Sequence, residues 1–346
     1  MKHGCREQKI KVLAVFNAQS SRGRKEGIME YQEFIEKLRE ELQKKMGEET
    51  CMKIHKVQKN NGICLDGISI WREGENVSPT IYLNSFYENY QEGRAIKEIA
   101  QQIKELYERY RIERPIDPAF YCDFSNIWRR VSCKVINYER NRELLRDIPH
   151  LRYLDLAIVA YYPVSDGAMG EGMILIRNNH LKFWNVTAEE LIHIARENTK
   201  ERFSYELLDM IDLLQNYSED EEGILSVQEF QETDETMPMY VLTNREKNLG
   251  AVCIIYDSIL NHVGEKLEED YYILPSSIHE CIIIPKREEF DAEEIKFMVR
   301  EINETQVQPE EVLSDQIYQY ERKYHRLSMV LENEEEYPFL EAEIMI

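Results

Sequence analysis

What this chain lacks narrows its possible roles before any motif is read. No apolar run approaches the ~20 residues of a membrane-spanning helix; the longest, Leu156 to Val164, is the length of a strand. Behind a basic N-terminus the stretch Val12 to Phe16 has only five apolar residues, short of the roughly 7–15 of a signal-peptide core, so a cytoplasmic location and no membrane partner are expected. The seven cysteines (Cys5, Cys51, Cys64, Cys122, Cys133, Cys253, Cys281) are odd in number, widely spaced and without a CxxC pair. That pattern reads as reduced thiols and excludes a disulfide or zinc framework. Positive charge is also scarce, with 43 Lys and Arg against 65 Asp and Glu for a net of −22. Residues 1–28 carry +5, which leaves −27 on the rest. Such a field repels phosphate backbones and favours basic partners, so a protein rather than a nucleic acid is the expected partner.

The signatures of common cofactor chemistries are missing as well. Gly167, Gly170 and Gly172 in DGAMGEG have neither GxGxxG nor GxxxxGK[ST] spacing and link two strands, so they read as a hairpin loop. His279-Glu280 opens like HExxH, but Ile283 stands where the second His belongs. Glu189 and His193 are spaced to chelate from one helix face, yet no further ligand is identifiable and a surface pair is the plainer reading. Neither a metal nor a cofactor is expected; a small-molecule ligand is left open.

What is present is a packed protein. At 346 residues, 43% hydrophobic and 10% aromatic, the chain buries a sizeable core and exceeds the size at which one core keeps growing, so two or three packed subdomains are expected. The pattern of elements predicts an α+β fold with mixed or mostly antiparallel sheets and flanking helices. Residues 1–28 read as a mobile leader, 29–115 as an α-β-β-β-α unit and 116–217 as a central α/β unit. Residues 218–238 read as an acidic linker, 239–325 as a C-terminal α+β unit and 326–346 as an acidic tail.

Within the first unit, Tyr31, Phe34, Ile35, Leu38 and Leu42 form one helical stripe, and Asn60-Asn61-Gly62 supplies the positive φ of a tight hairpin between strands at 52–57 and 63–71. A strand at 80–84 and a helix at 93–110 follow. In the central unit a short helix near Phe124, a strand at 131–136 and a helix at 140–146 precede strands at 153–162 and 172–177. Thr187-x-x-Glu190 is a capping box that opens a helix over 187–198. Asp155, at the start of LDLAIVAYY, needs a donor, for which Arg152 or His150 would serve. The last unit predicts strands at 239–242 and 251–256 and a helix over 257–267. Asp291 with Glu294 caps another helix.

The densest polar site is YYILPSSIHECIIIP, residues 271–285, where Pro275-Ser276-Ser277 interrupts two apolar strands. Strand alternation sends His279, Cys281 and Ile283 to one face and Ile278, Glu280 and Ile282 to the other. Ser277 and His279 then share a parity, so a nucleophile beside a base is conceivable, with Ser276 or Cys281 nearby. The preferred reading is structural: the hydroxyls bond the turn backbone, and His279 is a satisfied polar group. Arg129, Arg130, Arg142 and Arg146, interleaved with Trp128 and Tyr138, are candidate binding residues for single-stranded nucleic acid or an anionic ligand, weighed against an ordinary charged helix face, which the overall negative field favours.

VQKNNGICLDGISI with SPTIYLNSFYENY, PHLRYLDLAIVAYYPV, FWNVTAEELIHIARENT, and VLTN followed by GAVCIIYDSIL and YYILPSSIHECIIIP together resemble an uncharacterised domain-of-unknown-function family of clostridial, largely gut-dwelling Firmicutes. The resemblance runs over about residues 29–325, with the family's usual start at Met29, and implies no assigned activity and no established catalytic residues. Function is therefore read from the residues. The leading expectation is a non-catalytic cytoplasmic binding or regulatory protein acting on another macromolecule. The alternatives are a hydrolase-like enzyme using Ser277 and His279, and an acidic mimic of nucleic acid.

Overall fold

The computed structural model describes residues 29–111, 117–166, 170–213, 237–288 and 291–330. The fold is α+β, with three sheets in which every strand pairing is antiparallel among the described residues. No helix among them is long and apolar enough to cross a membrane. The leader and the acidic runs 218–236 and 332–343 lie outside the described residues.

In the N-terminal unit, α1 (Tyr31–Met46) buries the stripe Phe34, Leu38 and Leu42 and stops at Gly47, whose φ of +89° is open to glycine and strained for other residues. The strands β1 (Cys51–Gln58) and β2 (Cys64–Trp71) run in register from Cys51 opposite Trp71 to Gln58 opposite Cys64. Asn61 and Gly62 turn between them at φ +57° and +70°, the left-handed pair expected from Asn-Gly. A short β3 (Thr80–Tyr82) extends the sheet, and α2 (Asn84–Gln91) and α3 (Ile96–Tyr110) cover it. Sequence periodicity missed α2 because none of its residues is fully buried. Phe34, Leu38, Ile68, Ile99, Ile103 and Tyr107 belong to a core of this unit's own.

The central unit is α4 (Pro118–Cys122), α5 (Phe124–Ile127), β4 (Ser132–Asn137), α6 (Arg142–Leu145), β5 (His150–Tyr153), β6 (Leu156–Asp166), β7 (Gly170–Leu175), α7 (Asn178–Trp184), α8 (Ala188–Arg202) and β8 (Tyr205–Asp209). Long β6 pairs with β4, β5 and β7. The single strand expected over 153–162 is two, broken where Leu154 turns at φ +56°. The capping box forms as read: Glu190 N–H donates to Thr187 Oγ1 at 3.1 Å and Thr187 N–H to Glu190 Oε2 at 2.8 Å.

The C-terminal unit comprises β9 (Tyr240–Asn244), α9 (Asp257–Leu267), β10 (Tyr271–Leu274), β11 (Cys281–Pro285), α10 (Ala292–Thr305), β12 (Tyr318–Glu321) and β13 (Arg326–Met329). Its sheet has the order β13-β12-β10-β11-β9-β8, so the last strand of the central unit completes it. Arg326–Met329, read from sequence as the start of the tail, is thus a paired strand. The strand expected over 251–256 is instead a 3-10 helix, Gly250–Ile255. The apolar run is buried on all sides, and both edges of neighbouring β9 are already taken by β8 and β11. A short apolar run of this kind carries no period that tells strand from buried helix. It sits in the largest core, which the central and C-terminal units share: Cys133, Leu156 and Ile158 pack with Ile254, Ile273 and Ile283.

The N-terminal unit is tied to the others by side-chain amides. Asn141, 1% exposed, accepts from Asn61 N–H through Oδ1 at 2.8 Å and donates to Asn61 Oδ1 at 3.0 Å and Asn137 O at 2.8 Å. Asn61 Nδ2 donates to Pro309 O and Val312 O, Asn60 Nδ2 to Glu310 O, and Asn137 Nδ2 to Leu313 O at 2.9 Å. Removing one partner of a buried hydrogen bond leaves the other unsatisfied at a cost of about 1–3 kcal/mol. Asn141→Ala should therefore lower unfolding stability by about 2–3 kcal/mol in urea titrations, because three bonds are lost. A loss below about 0.5 kcal/mol, the size of an ordinary surface change, would remove this junction from the account of stability.

Candidate functional site

The corner between β10 and β11 is closed by main-chain bonds. Leu313 N–H donates to Ser276 O at 2.9 Å, Ser314 N–H to Pro275 O at 2.8 Å and Ile278 N–H to Glu311 O at 2.8 Å, so residues 275–278 and 311–314 form an irregular ladder around the Ser277–Val312 bridge. Regular strand begins only at Cys281, and the alternation expected from Ile278 onward holds from there: Cys281 and Ile283 face the shared core, while Ile282 and Ile284 join the cluster under α10.

Ser277, 4% exposed, accepts from His279 N–H at 3.0 Å through its hydroxyl oxygen. The His279 ring is held elsewhere: Nδ1 accepts from Leu249 N–H at 3.1 Å, and Nε2 lies 3.5 Å from Glu311 Oε1. When the ring is neutral, acceptance at Nδ1 leaves its proton on Nε2. The His279 carbonyl accepts from Thr243 Oγ1 at 2.8 Å. Neither the hydroxyl nor Nδ1 is in the geometry of a base drawing a proton from serine, where hydroxyl and ring nitrogen face each other. Ser276 contributes main chain to the ladder. Cys281 is fully buried, and burial foremost, with Cys253 and Glu280 nearby, pushes its thiol well above the usual range, which keeps it protonated.

Glu280 completes the corner. Burial raises its carboxyl above the ordinary value, the charge of His279 and a hydrogen bond from Ser277 pull it back in part, and Glu311 adds to the rise. His279 and Glu280 both precede β11, so strand alternation does not set their directions.

Asp155 finds its donors far along the chain rather than in Arg152 or His150. Ser314 Oγ donates to its carboxylate at 2.6 Å, and Tyr318 hydroxyl to the other oxygen. Arg152 Nε donates to Leu154 O instead, and His150 Nδ1 meets Ile148 O. The four arginines do not converge. Arg129 and Arg130 sit before β4, over the rings of Trp128 and Tyr162. Arg142 and Arg146 lie after it and pair with Glu139 and Glu143. The six residues of β4 separate the two pairs by roughly 20 Å. No group of three or more His, Cys, Asp or Glu among the described residues is placed to hold a metal ion.

Sequence reasoning did not anticipate a pocket of about 250 Å³ between α4, β7 and α7. Buried Ile127, Tyr162 and Ile176 contribute to it, as do Tyr121, Ile174, Phe183 and Trp184, with Cys122 and His180. Trp184 Nε1 donates to Tyr121 O at 2.9 Å, and His180 Nδ1 accepts from Arg177 N–H at 3.2 Å. Burial, then the charge of Arg177, holds the His180 imidazole below its ordinary value. The Phe183-Trp184 pair ahead of the capped helix was the available signal, but α7 was not read from the sequence.

Two expected outcomes test the corner. A Cβ on Gly250 would lie 2.3 Å from Thr243 Oγ1, 2.5 Å from Asn244 N and 2.6 Å from His279 O. Gly250→Ala should therefore cost about 3 kcal/mol or abolish soluble expression, and a melting temperature equal to wild type would refute the packing. Because the folded-state value of Glu280 is raised, its protonated form favours the fold below the unfolded value, and that contribution is lost as pH rises through the folded value. Glu280→Gln should match wild type near pH 4 and be the more stable of the two at pH 7, read by denaturant titration at both.

A search of curated proteins and of solved structures finds no match. The model of a family of unknown function, DUF5688, matches residues 31–322. That span takes in the N-terminal core, the shared core, the corner and the pocket, and the chain belongs to the DUF5688 family.

Proposed function

We propose that the protein is a non-catalytic, cytoplasmic binding or regulatory protein that acts on another protein. The observation that carries this reading is the apolar surface beside the pocket, where Phe183 is 74% exposed, Phe120 42% and Ile174 40%. Large apolar side chains grouped in water mark contact surfaces, and aromatic anchors dominate the energy of such contacts. The net charge of −22 favours a basic partner at long range, and the apolar group supplies the short-range contact. The corner supports the non-catalytic part, since the Ser277 hydroxyl and His279 Nδ1 both accept main-chain N–H groups.

The Glu311 carboxylate, 3.5 Å from His279 Nε2, occupies the ring nitrogen that a triad leaves to its serine, and so counts against the hydrolase-like alternative.

The test is affinity capture with the purified full chain, its Phe183→Asp variant and a Ser277→Ala variant, each checked for folding by circular dichroism. The expected result is one partner held reproducibly by wild type and Ser277→Ala and at least about tenfold less by Phe183→Asp. A chain that captures nothing reproducibly, or a partner indifferent to Phe183→Asp, overturns the proposal. Labelling of Ser277 by a fluorophosphonate probe would move the reading to the hydrolase.

A further inference from the structure

The pocket between α4, β7 and α7 makes a demand of its own, apart from any protein docking beside it. Its size is the first constraint. A dry apolar cavity of roughly 150 Å³ takes benzene, so about 250 Å³ suits one or two fused rings. Its walls are the second. Tyr121 and Tyr162 meet edge to face with centroids 5.6 Å apart, and His180 lies against Trp184 at 5.3 Å, so a flat guest finds ring faces and edges beside the branched side chains of Ile127, Ile174 and Ile176.

Polarity is the third constraint. No Asp, Glu, Lys or Arg lines the pocket, so a charged guest would lose hydration without a counter-ion. Trp184 Nε1 is already taken by Tyr121 O. His180 Nδ1 is taken by Arg177 N–H, so its neutral ring keeps one proton on Nε2 as a donor, and the Cys122 thiol is a weak second.

We infer that this pocket is a binding site for an uncharged aromatic molecule of one or two fused rings bearing a single hydrogen-bonding substituent, recognised by ring contacts from Tyr121, Tyr162 and Trp184 and by His180. Burial and the charge of Arg177 keep that imidazole neutral, in keeping with a guest that brings no charge. The inference goes beyond protein binding and does not rest on it.

The experiment titrates the full chain with 1-naphthol, naphthalene and 1-naphthoate, followed by calorimetry and tryptophan fluorescence. 1-Naphthol should bind saturably at one site, and 1-naphthoate at least about tenfold more weakly. Ile174→Trp, a filling change at a partly exposed position, should weaken 1-naphthol by about tenfold or more with an unchanged circular dichroism spectrum. Trp184→Phe, which leaves Trp71 and Trp128, should remove the fluorescence response. His180→Phe should cost 1-naphthol about fivefold and naphthalene little. Non-saturable uptake of 1-naphthol, or binding equal in wild type and both tryptophan-site variants, overturns the site. Equal affinity for 1-naphthol and 1-naphthoate overturns the requirement for an uncharged guest. Capture of a protein through Phe183 can succeed or fail independently of these outcomes.

Discussion

The fold turns on a stretch of chain with no sheet or helix of its own, residues 308–314, whose main-chain polar groups lie among three packed elements and must find partners there. They do so one by one. Pro309 O and Val312 O accept from Asn61, Glu310 O from Asn60 and Leu313 O from Asn137. Glu311 O accepts from Ile278 N–H, and the N–H groups of Leu313 and Ser314 reach Ser276 O and Pro275 O. Asn303 Nδ2 takes Ser314 O at 2.9 Å. A buried carbonyl left without a donor costs as much as a lost hydrogen bond, and this loop has many of them. The asparagine hairpin of the first unit, Asn137 of the second and the serine corner of the third all bond this one loop, and Asn141 joins the first two to each other.

That dependence bears on how the corner's chemistry is read. Ser, His and Glu crowded into one turn suggest catalysis when seen as letters, yet a hydroxyl and an imidazole are also compact ways to satisfy stray N–H groups where regular pairing fails. Here the ladder is irregular from Pro275 to Ile278, and beside it the Ser277 hydroxyl accepts His279 N–H while the His279 ring accepts Leu249 N–H. The apolar pocket is lined from α4, β6, β7 and α7, elements that take no part in this network. The molecule thus keeps its dense polar site for holding its parts together and presents its exposed aromatic groups elsewhere.

Much of the fold was legible because its signals are local. The stripe of α1, the Asn-Gly turn, the Thr187–Glu190 box and the two faces of β11 each follow from residues within a turn or two of one another. What was illegible depends on contacts between distant segments. The donors to Asp155 lie beyond residue 310, and no neighbour of LDLAIVAYY hints at them. Gly250–Ile255 is rich in β-branched residues, but the edges of β9 are occupied. The pocket draws on α4, β6, β7 and α7, and two of its contributors, Phe183 and Trp184, sit on a helix whose seven residues carry no apolar stripe.

The pairing of β8 with β9 puts Asp209 opposite Tyr240, so the chain that departs from one returns beside it. Cross-strand neighbours in an antiparallel sheet lie only ~5 Å apart. The pairing therefore holds the two ends of the intervening segment beside each other. Closing a longer excursion costs little more than closing a short one. A change in the number of residues between Asp209 and Tyr240 should therefore cost the sheet that joins them little.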